Sequence, residues 1–222
     1  MKTITKTFLP ILIALTFFSC QDGTKVGEPL VTSSDTDNSS INSEANKPSN
    51  PTETVVVKNQ YSIEMPEFMT EVTTLNNEAS FQCQNIYKET YMIVIDEPTD
   101  EFISVFKSLD GYDESLSVVE NYRIVQSNYI NEDMSVERMS EPKKFKINGL
   151  DAEQIEIEGT APGINATLYY LYTFVEGEDN VYMIMAWTLK DRKDKYAKVL
   201  EEISNSIKLV EKKDDVAESK ES

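Results

Sequence analysis

The 222-residue chain contains no histidine, and that absence removes a large part of protein chemistry. A Ser-His-Asp triad, a Cys-His pair, a histidine zinc site and an imidazole pH switch all need the missing side chain. Glycine is scarce, at 7 residues, which leaves little for phosphate-cradling loops. Positive charge is short as well: 21 Lys and Arg stand against 39 Asp and Glu, a formal balance of −18. Nucleic acid is therefore not expected as a partner, because the phosphate backbone rewards clustered Lys and Arg and this surface would repel it. Only two cysteines are present, Cys20 and Cys83.

The front of the chain is built differently from the rest. Lys2 and Lys6 precede an apolar run from Phe8 to Phe18, too short to span a bilayer as a mature helix but the right length for the core of a secretory signal. The run closes with Phe17-Phe18-Ser19-Cys20, which resembles the lipobox of bacterial lipoproteins. That resemblance implies a signal peptide over residues 1–19 and makes Cys20 the lipidated first residue of the mature chain; ordinary signal cleavage is the alternative. Several acyl chains would hold the protein firmly, since each buried methylene contributes about 0.8 kcal/mol and a single chain is marginal. Gln21 is consistent with sorting to the outer membrane, so the expected location is the cell envelope, with either side of that membrane open. The acidic remainder would be repelled by anionic headgroups, leaving the lipid anchor as the membrane partner.

Residues 20–54 comprise this cysteine and a stretch of Ser, Thr, Asn, Asp and Pro, as in Ser33-Ser34-Asp35-Thr36-Asp37-Asn38, that cannot bury enough surface to offset the entropy of ordering. They read as a flexible tether. Residues 211–222 read as a frayed polar tail. Between them, residues 55–210 are long enough for one core, and no internal repeat is visible.

Within that domain, Tyr61 to Met65 alternates until Pro66 and predicts a strand. Residues 79–84 and 86–95 read as a hairpin that places Tyr91, Ile93 and Ile95 on one face. Thr99 is expected to cap a helix carrying Phe102, Val105, Phe106 and Leu109 on its core face, with Asp100 and Glu101 at the positive end of the dipole. A second helix is expected from Asp113 to Ile130 through Leu116, Val119, Tyr122, Val125 and Tyr129. Residues 135–147 predict one polar edge strand, and Asn148-Gly149 a tight turn into a strand over 150–158, with Ile155 and Ile157 facing opposite to Gln154, Glu156 and Glu158. Residues 166–175 and 181–189 are apolar on both faces and predict central strands covered from two sides. Asp191 is expected to cap a last helix with the stripe Tyr196, Val199, Leu200, Ile203 and Ile207. The sum is an α+β fold, an antiparallel sheet flanked by helices.

The opening Tyr61-Ser62-Ile63-Glu64-Met65-Pro66, the central Ile147-Asn148-Gly149-Leu150-Asp151-Ala152, the strand pair ending near Trp187 and the closing Ile203-Ser204-Asn205-Ser206-Ile207-Lys208 together resemble the PsbP-like and DcrB-like superfamily. The resemblance covers nearly the whole domain. It implies an α/β/α sandwich and an accessory or binding role, since members serve as extrinsic photosystem subunits, a nuclear-import factor and envelope lipoproteins. No common active site accompanies the fold.

Each candidate for chemistry has a plainer reading beside it. Cys83 is the one thiol left if Cys20 is lipidated, so no internal disulfide can form; it reads as a buried structural cysteine. Ser104-Val105-Phe106-Lys107 matches the Ser-x-x-Lys of penicillin-recognising enzymes, but the partner motifs are missing and Val105 and Phe106 fit a packing stripe. The acids at Asp96, Glu97, Asp100 and Glu101, at Glu153, Glu156 and Glu158, and at Glu176, Glu178 and Asp179 could hold calcium or act as a carboxylate pair, and otherwise form a solvated surface. No residue is assigned a catalytic or metal-binding role, and no cofactor is implied. Tyr169, Tyr170, Tyr172 and Trp187 are the candidate ligand-binding residues, set against a core reading. The expected function is a non-enzymatic envelope lipoprotein whose domain binds a protein partner or supports assembly. The alternatives are a small-ligand or lipid carrier with an apolar cleft and, less favoured, a carboxylate hydrolase. The sequence leaves the oligomeric state open.

Overall fold

The computed structural model describes residues 50–211. The signal peptide, Cys20, the tether up to residue 49 and the tail from residue 212 lie outside the described residues.

Two central strands, β9 (Leu168–Glu176) and β10 (Asn180–Leu189), carry side chains buried on both faces over nearly their whole length, as their unbroken apolar runs predict. They pair antiparallel through the acidic 177–179 turn. On the far side of β10 lies β5 (Thr90–Pro98), then β4 (Phe81–Asn85) and the short β3 (Thr70–Glu71). On the far side of β9 lies β8 (Leu150–Thr160), whose outer edge is shared. Its first half pairs with β7 (Lys143–Ile147) and its second half with β6 (Ser135–Met139). All these pairings are antiparallel, and the sheet has eight strands. The single edge strand expected over 135–147 is thus two strands, separated at Ser140-Glu141-Pro142. Proline cannot donate to a ladder, and the Ser140 hydroxyl instead accepts from the Glu156 amide at 2.9 Å. Asn148 and Gly149 make the β7–β8 turn with φ of 49° and 90°, the two left-handed residues such a turn needs.

Helices cover both faces of this sheet. On one lie α1 (Thr99–Ser108) and α2 (Val118–Asp133); on the other lies α3 (Lys193–Ser204), with a second sheet of three strands in the order β1 (Thr52–Val57), β2 (Tyr61–Pro66) and β11 (Lys208–Leu209). The expected α+β architecture, an antiparallel sheet flanked by helices, is what the chain adopts. Strand β1 begins at Thr52, three residues ahead of the expected start of the domain; Thr52 and Thr54 donate their hydroxyls to the Glu64 carboxylate of β2 at 2.7 and 2.6 Å.

The helix ends depart from expectation in four places. Thr99 is the first helical residue and makes no side-chain cap; the preceding Pro98 is the cap position. Leu109 is 66% exposed because α1 ends at Ser108 and the chain turns away through a left-handed Asp110. The second helix starts at Val118 and not at Asp113. Ser117 and Glu120 form a reciprocal capping box there, which satisfies two helix-end donors and fixes the start. Asp191 lies in a 3-10 turn over Lys190–Arg192 and does not cap α3. Tyr196, Val199, Leu200 and Ile203 of the expected α3 stripe are buried on the helix; Ile207 is buried too, but it lies beyond the helix end at Ser204.

Candidate functional site

Side chains of a strand alternate between faces, so the four candidate residues cannot share one surface. Trp187 sits opposite Tyr170 and Tyr91 across the ladders, and Tyr172 sits two residues along from Tyr170. These belong to the face under α1 and α2. Tyr169 points the other way, toward α3, where the Lys193 ammonium lies 4.4 Å from its ring centre. Lys193 in turn donates to Glu156 at 2.8 Å and Glu158 at 3.3 Å. The structure therefore brings together three of the four and separates Tyr169.

On the α1/α2 face the rings form a continuous series. Tyr91 stacks on Trp187 with centroids 5.3 Å apart, Trp187 lies 6.2 Å from Tyr170, Tyr170 lies 5.9 Å from Tyr172, and Tyr172 stacks on Phe174 at 6.3 Å. Tyr122 of α2 meets Phe174 edge-on at 6.0 Å, and Phe102 of α1 meets Tyr122 edge-on at 5.1 Å. Such contacts add about 0.5–1.5 kcal/mol each beyond area burial.

Its polar atoms are treated unequally. The Tyr122 hydroxyl donates to the Glu97 carboxylate at 2.6 Å, and the Gln126 amide donates to the same oxygen at 3.2 Å. Burial nevertheless raises the Glu97 carboxyl above its ordinary range, the Tyr122 hydrogen bond offsetting part of the rise. The Tyr91 hydroxyl donates to Glu89 at 2.7 Å. By contrast the hydroxyls of Tyr170 and Tyr172 and the indole nitrogen of Trp187 are buried with no hydrogen-bond partner among the described residues. Burial alone raises the Tyr170 hydroxyl above the ordinary phenol range, and burial, with the Asp133 carboxylate adding to it, raises that of Tyr172. Neither acts as an acid or base in water's ordinary pH range.

The other candidates fall into structural roles. Cys83 is fully buried beside Met69, their sulfurs 4.0 Å apart, and burial pushes its thiol up to about 12, so it is not a nucleophile in the folded chain. Ser104 is exposed on α1, and Lys107 pairs with Glu114 at 2.5 Å and lies over the Tyr112 ring. The β8 acids Glu153, Glu156 and Glu158 do not form one cluster. Glu153 is buried under α2 and accepts from Arg123 at 2.7 Å, whereas Glu156 and Glu158 face Lys193 on the opposite side. Among the described residues no group of three or more Cys, Asp or Glu is placed to hold a metal ion. Sequence reasoning missed the Arg123–Glu153 pair; the one signal for it was Glu153 falling in phase with the apolar Ile155 and Ile157.

No family model matches the chain, and no curated protein matches it. Among solved structures it is similar to CyanoP, the PsbP protein of the cyanobacterium Synechocystis, at TM-score 0.48 and 11% identity, over 71% of this chain and 92% of that one. It is also similar to LpqN of Mycobacterium tuberculosis, a protein involved in cell envelope biogenesis, at TM-score 0.45 and 9% identity, over 73% of this chain and 87% of that one. A third is PA94 of Pseudomonas aeruginosa, a protein of unknown function, at TM-score 0.41 and 9% identity, over 70% of this chain and 94% of that one.

Proposed function

We propose that the chain is an envelope lipoprotein, held at the membrane by lipid on Cys20, whose folded domain works by binding and not by catalysis. The domain is taken as residues 55–210 with the few strand residues that precede them, carried on the tether and sorted toward the outer membrane. The observation that carries the binding reading is the fate of the reactive groups. The thiol of Cys83 is buried and pushed up to about 12, Lys107 is engaged with Glu114, and Glu153, Glu156 and Glu158 of β8 are committed to Arg123 and Lys193. The lipobox-like Phe17-Phe18-Ser19-Cys20 supports the anchor.

The test is expression of the full chain in a bacterial host fed a clickable fatty acid, followed by membrane fractionation. The expected result is a labelled, membrane-bound protein whose Cys20→Ser variant loses the label and becomes soluble. An unlabelled wild-type chain in the soluble fraction would overturn the reading. Crosslinking in intact envelopes is expected to recover the same partner repeatedly from the wild type.

A further inference from the structure

Three buried hydrogen-bonding groups without partners lie on adjacent rungs of one sheet face. Buried polar groups are nearly always satisfied, and each one left unpaired carries a desolvation penalty. A single orphan is an ordinary irregularity. Here the Tyr170 hydroxyl, the Tyr172 hydroxyl and the Trp187 indole nitrogen are all unpartnered among the described residues, with their rings about one stacking distance apart, 5.9 Å and 6.2 Å between centroids. Elsewhere on the same face the hydroxyls of Tyr91 and Tyr122 do find carboxylates. Other buried atoms are also unpartnered among the described residues, those of Ser127 on α2 and Glu153 on β8 included; what distinguishes the trio is that its three groups are carried on rings lying one against the next.

We propose that Tyr170, Tyr172 and Trp187 form the hydrogen-bonding wall of an interior site for a neutral, largely apolar molecule carrying a carbonyl oxygen. The chemistry of the groups selects this class. An indole nitrogen only donates, and both phenols can donate, so the complement is an acceptor. The surroundings are apolar: Met185, Ile155, Ile157 and Ile93 flank the trio on neighbouring strands. Both phenols are buried among apolar side chains, and the Asp133 carboxylate adds negative potential at Tyr172, which would repel an anion. A carboxylate ligand is thus disfavoured and a ketone, quinone or amide oxygen is favoured. The trio lies close to the start of β9 at Leu168, so the 161–167 segment borders it, and Ile164 of that segment packs against the same cluster. The inference deepens the binding reading by naming a ligand class; its test does not involve the anchor, so either can fail without the other.

The experiment compares three probes of one shape on the full chain by calorimetry: 2-acetylnaphthalene, 2-ethylnaphthalene, in which the carbonyl becomes a methylene, and 2-naphthoate. The ketone is expected to bind at least about fivefold more tightly than the hydrocarbon and more tightly than the anion. Tyr170→Phe and Tyr172→Phe remove only a hydroxyl; each is expected to weaken the ketone several-fold while leaving the hydrocarbon unchanged, and the double variant to abolish the preference. Trp187 is the sole tryptophan, so its emission checks that each variant keeps its fold. Equal affinity for ketone and hydrocarbon, preference for the anion, absence of binding by all three probes, or a preference that survives in the double variant would overturn the proposal. The first and third of these outcomes are what ordered water bound to these groups would give.

Discussion

Arg123 of α2 donates to Glu153 of β8 at 2.7 Å, and Glu153 is only 1% exposed although it carries a charge. The pair ties α2, the longest helix among the described residues, to the sheet from within the interface. Lys144 of β7 lies 3.7 Å from the second Glu153 oxygen, and the same lysine also pairs with Glu120 of the α2 capping box. Helix start, edge strand and buried acid are thereby linked through three side chains.

Removing the guanidinium should expose what that acid costs. Arg123→Met leaves Glu153 buried and underpaired, for which a loss of about 3–5 kcal/mol is expected in urea unfolding. Arg123→Met combined with Glu153→Leu should recover most of the loss, since two apolar side chains of similar volume need no pairing. A double variant as unstable as the single one would show that the pair acts through packing and not through charge.

Glu97 should make stability depend on pH in an unusual direction. Its carboxyl is raised by burial, so the folded state holds a proton that the unfolded state has released. Native protein then binds more protons than unfolded protein between the two pKa values, and stability falls as pH rises through that window. Glu97→Gln keeps acceptor capacity for Tyr122 without the buried charge. It is expected to be more stable than wild type at neutral pH and to lose that advantage below the unfolded carboxylate range. Unfolding midpoints measured between pH 3 and pH 8 check the sign.

Gly159 sits in β8 opposite Val136 of β6. A Cβ at that position would lie 2.6 Å from the Ser135 carbonyl oxygen, a backbone atom that cannot move aside alone. Gly159→Ala is therefore expected to cost about 1–3 kcal/mol and to loosen β6 first. Amide exchange of Val136 and Arg138 should quicken while that of β9 and β10 is unchanged.

Cys83 should be silent to thiol reagents while the domain is folded. In a Cys20→Ser background, modification by a disulfide reagent is expected only at the rate of unfolding, because the thiol is buried and its pKa lies near 12. Fast labelling under native conditions would contradict this placement.

How much of this was legible in sequence follows from the physics of each element. Strands β9 and β10 were visible because both faces are covered, which demands an unbroken apolar run. The Asn148-Gly149 turn was visible because few other residue pairs accept two left-handed positions. The α3 stripe was visible because one helix face is core. Strand β1 was obscured by its composition: Thr52 and Thr54 read as tether, and what holds them is a carboxylate twelve and ten residues away. Asp191 and Thr99 looked like caps because their residue types favour that role, yet a cap also needs the right backbone angles. Of the site, the aromatic concentration in β9 and β10 was evident. The strand period alone was enough to separate Tyr169 from Tyr170, whereas the missing partners of Tyr170, Tyr172 and Trp187 depend on what α2 and the neighbouring strands leave unoffered.

Strand β7 is short and ends the sheet on one side, and its sequence is Lys-Lys-Phe-Lys-Ile. Its three lysines are each about two-thirds exposed and each already satisfied by an acid, Glu201, Glu120 or Asp151. Another molecule laid along this rim as an extra strand would arrive within about 4.8 Å and force three ammonium groups out of water and out of register with those acids. In a chain so rich in acid, three bases stand together where an open ladder would otherwise invite fibrous self-association.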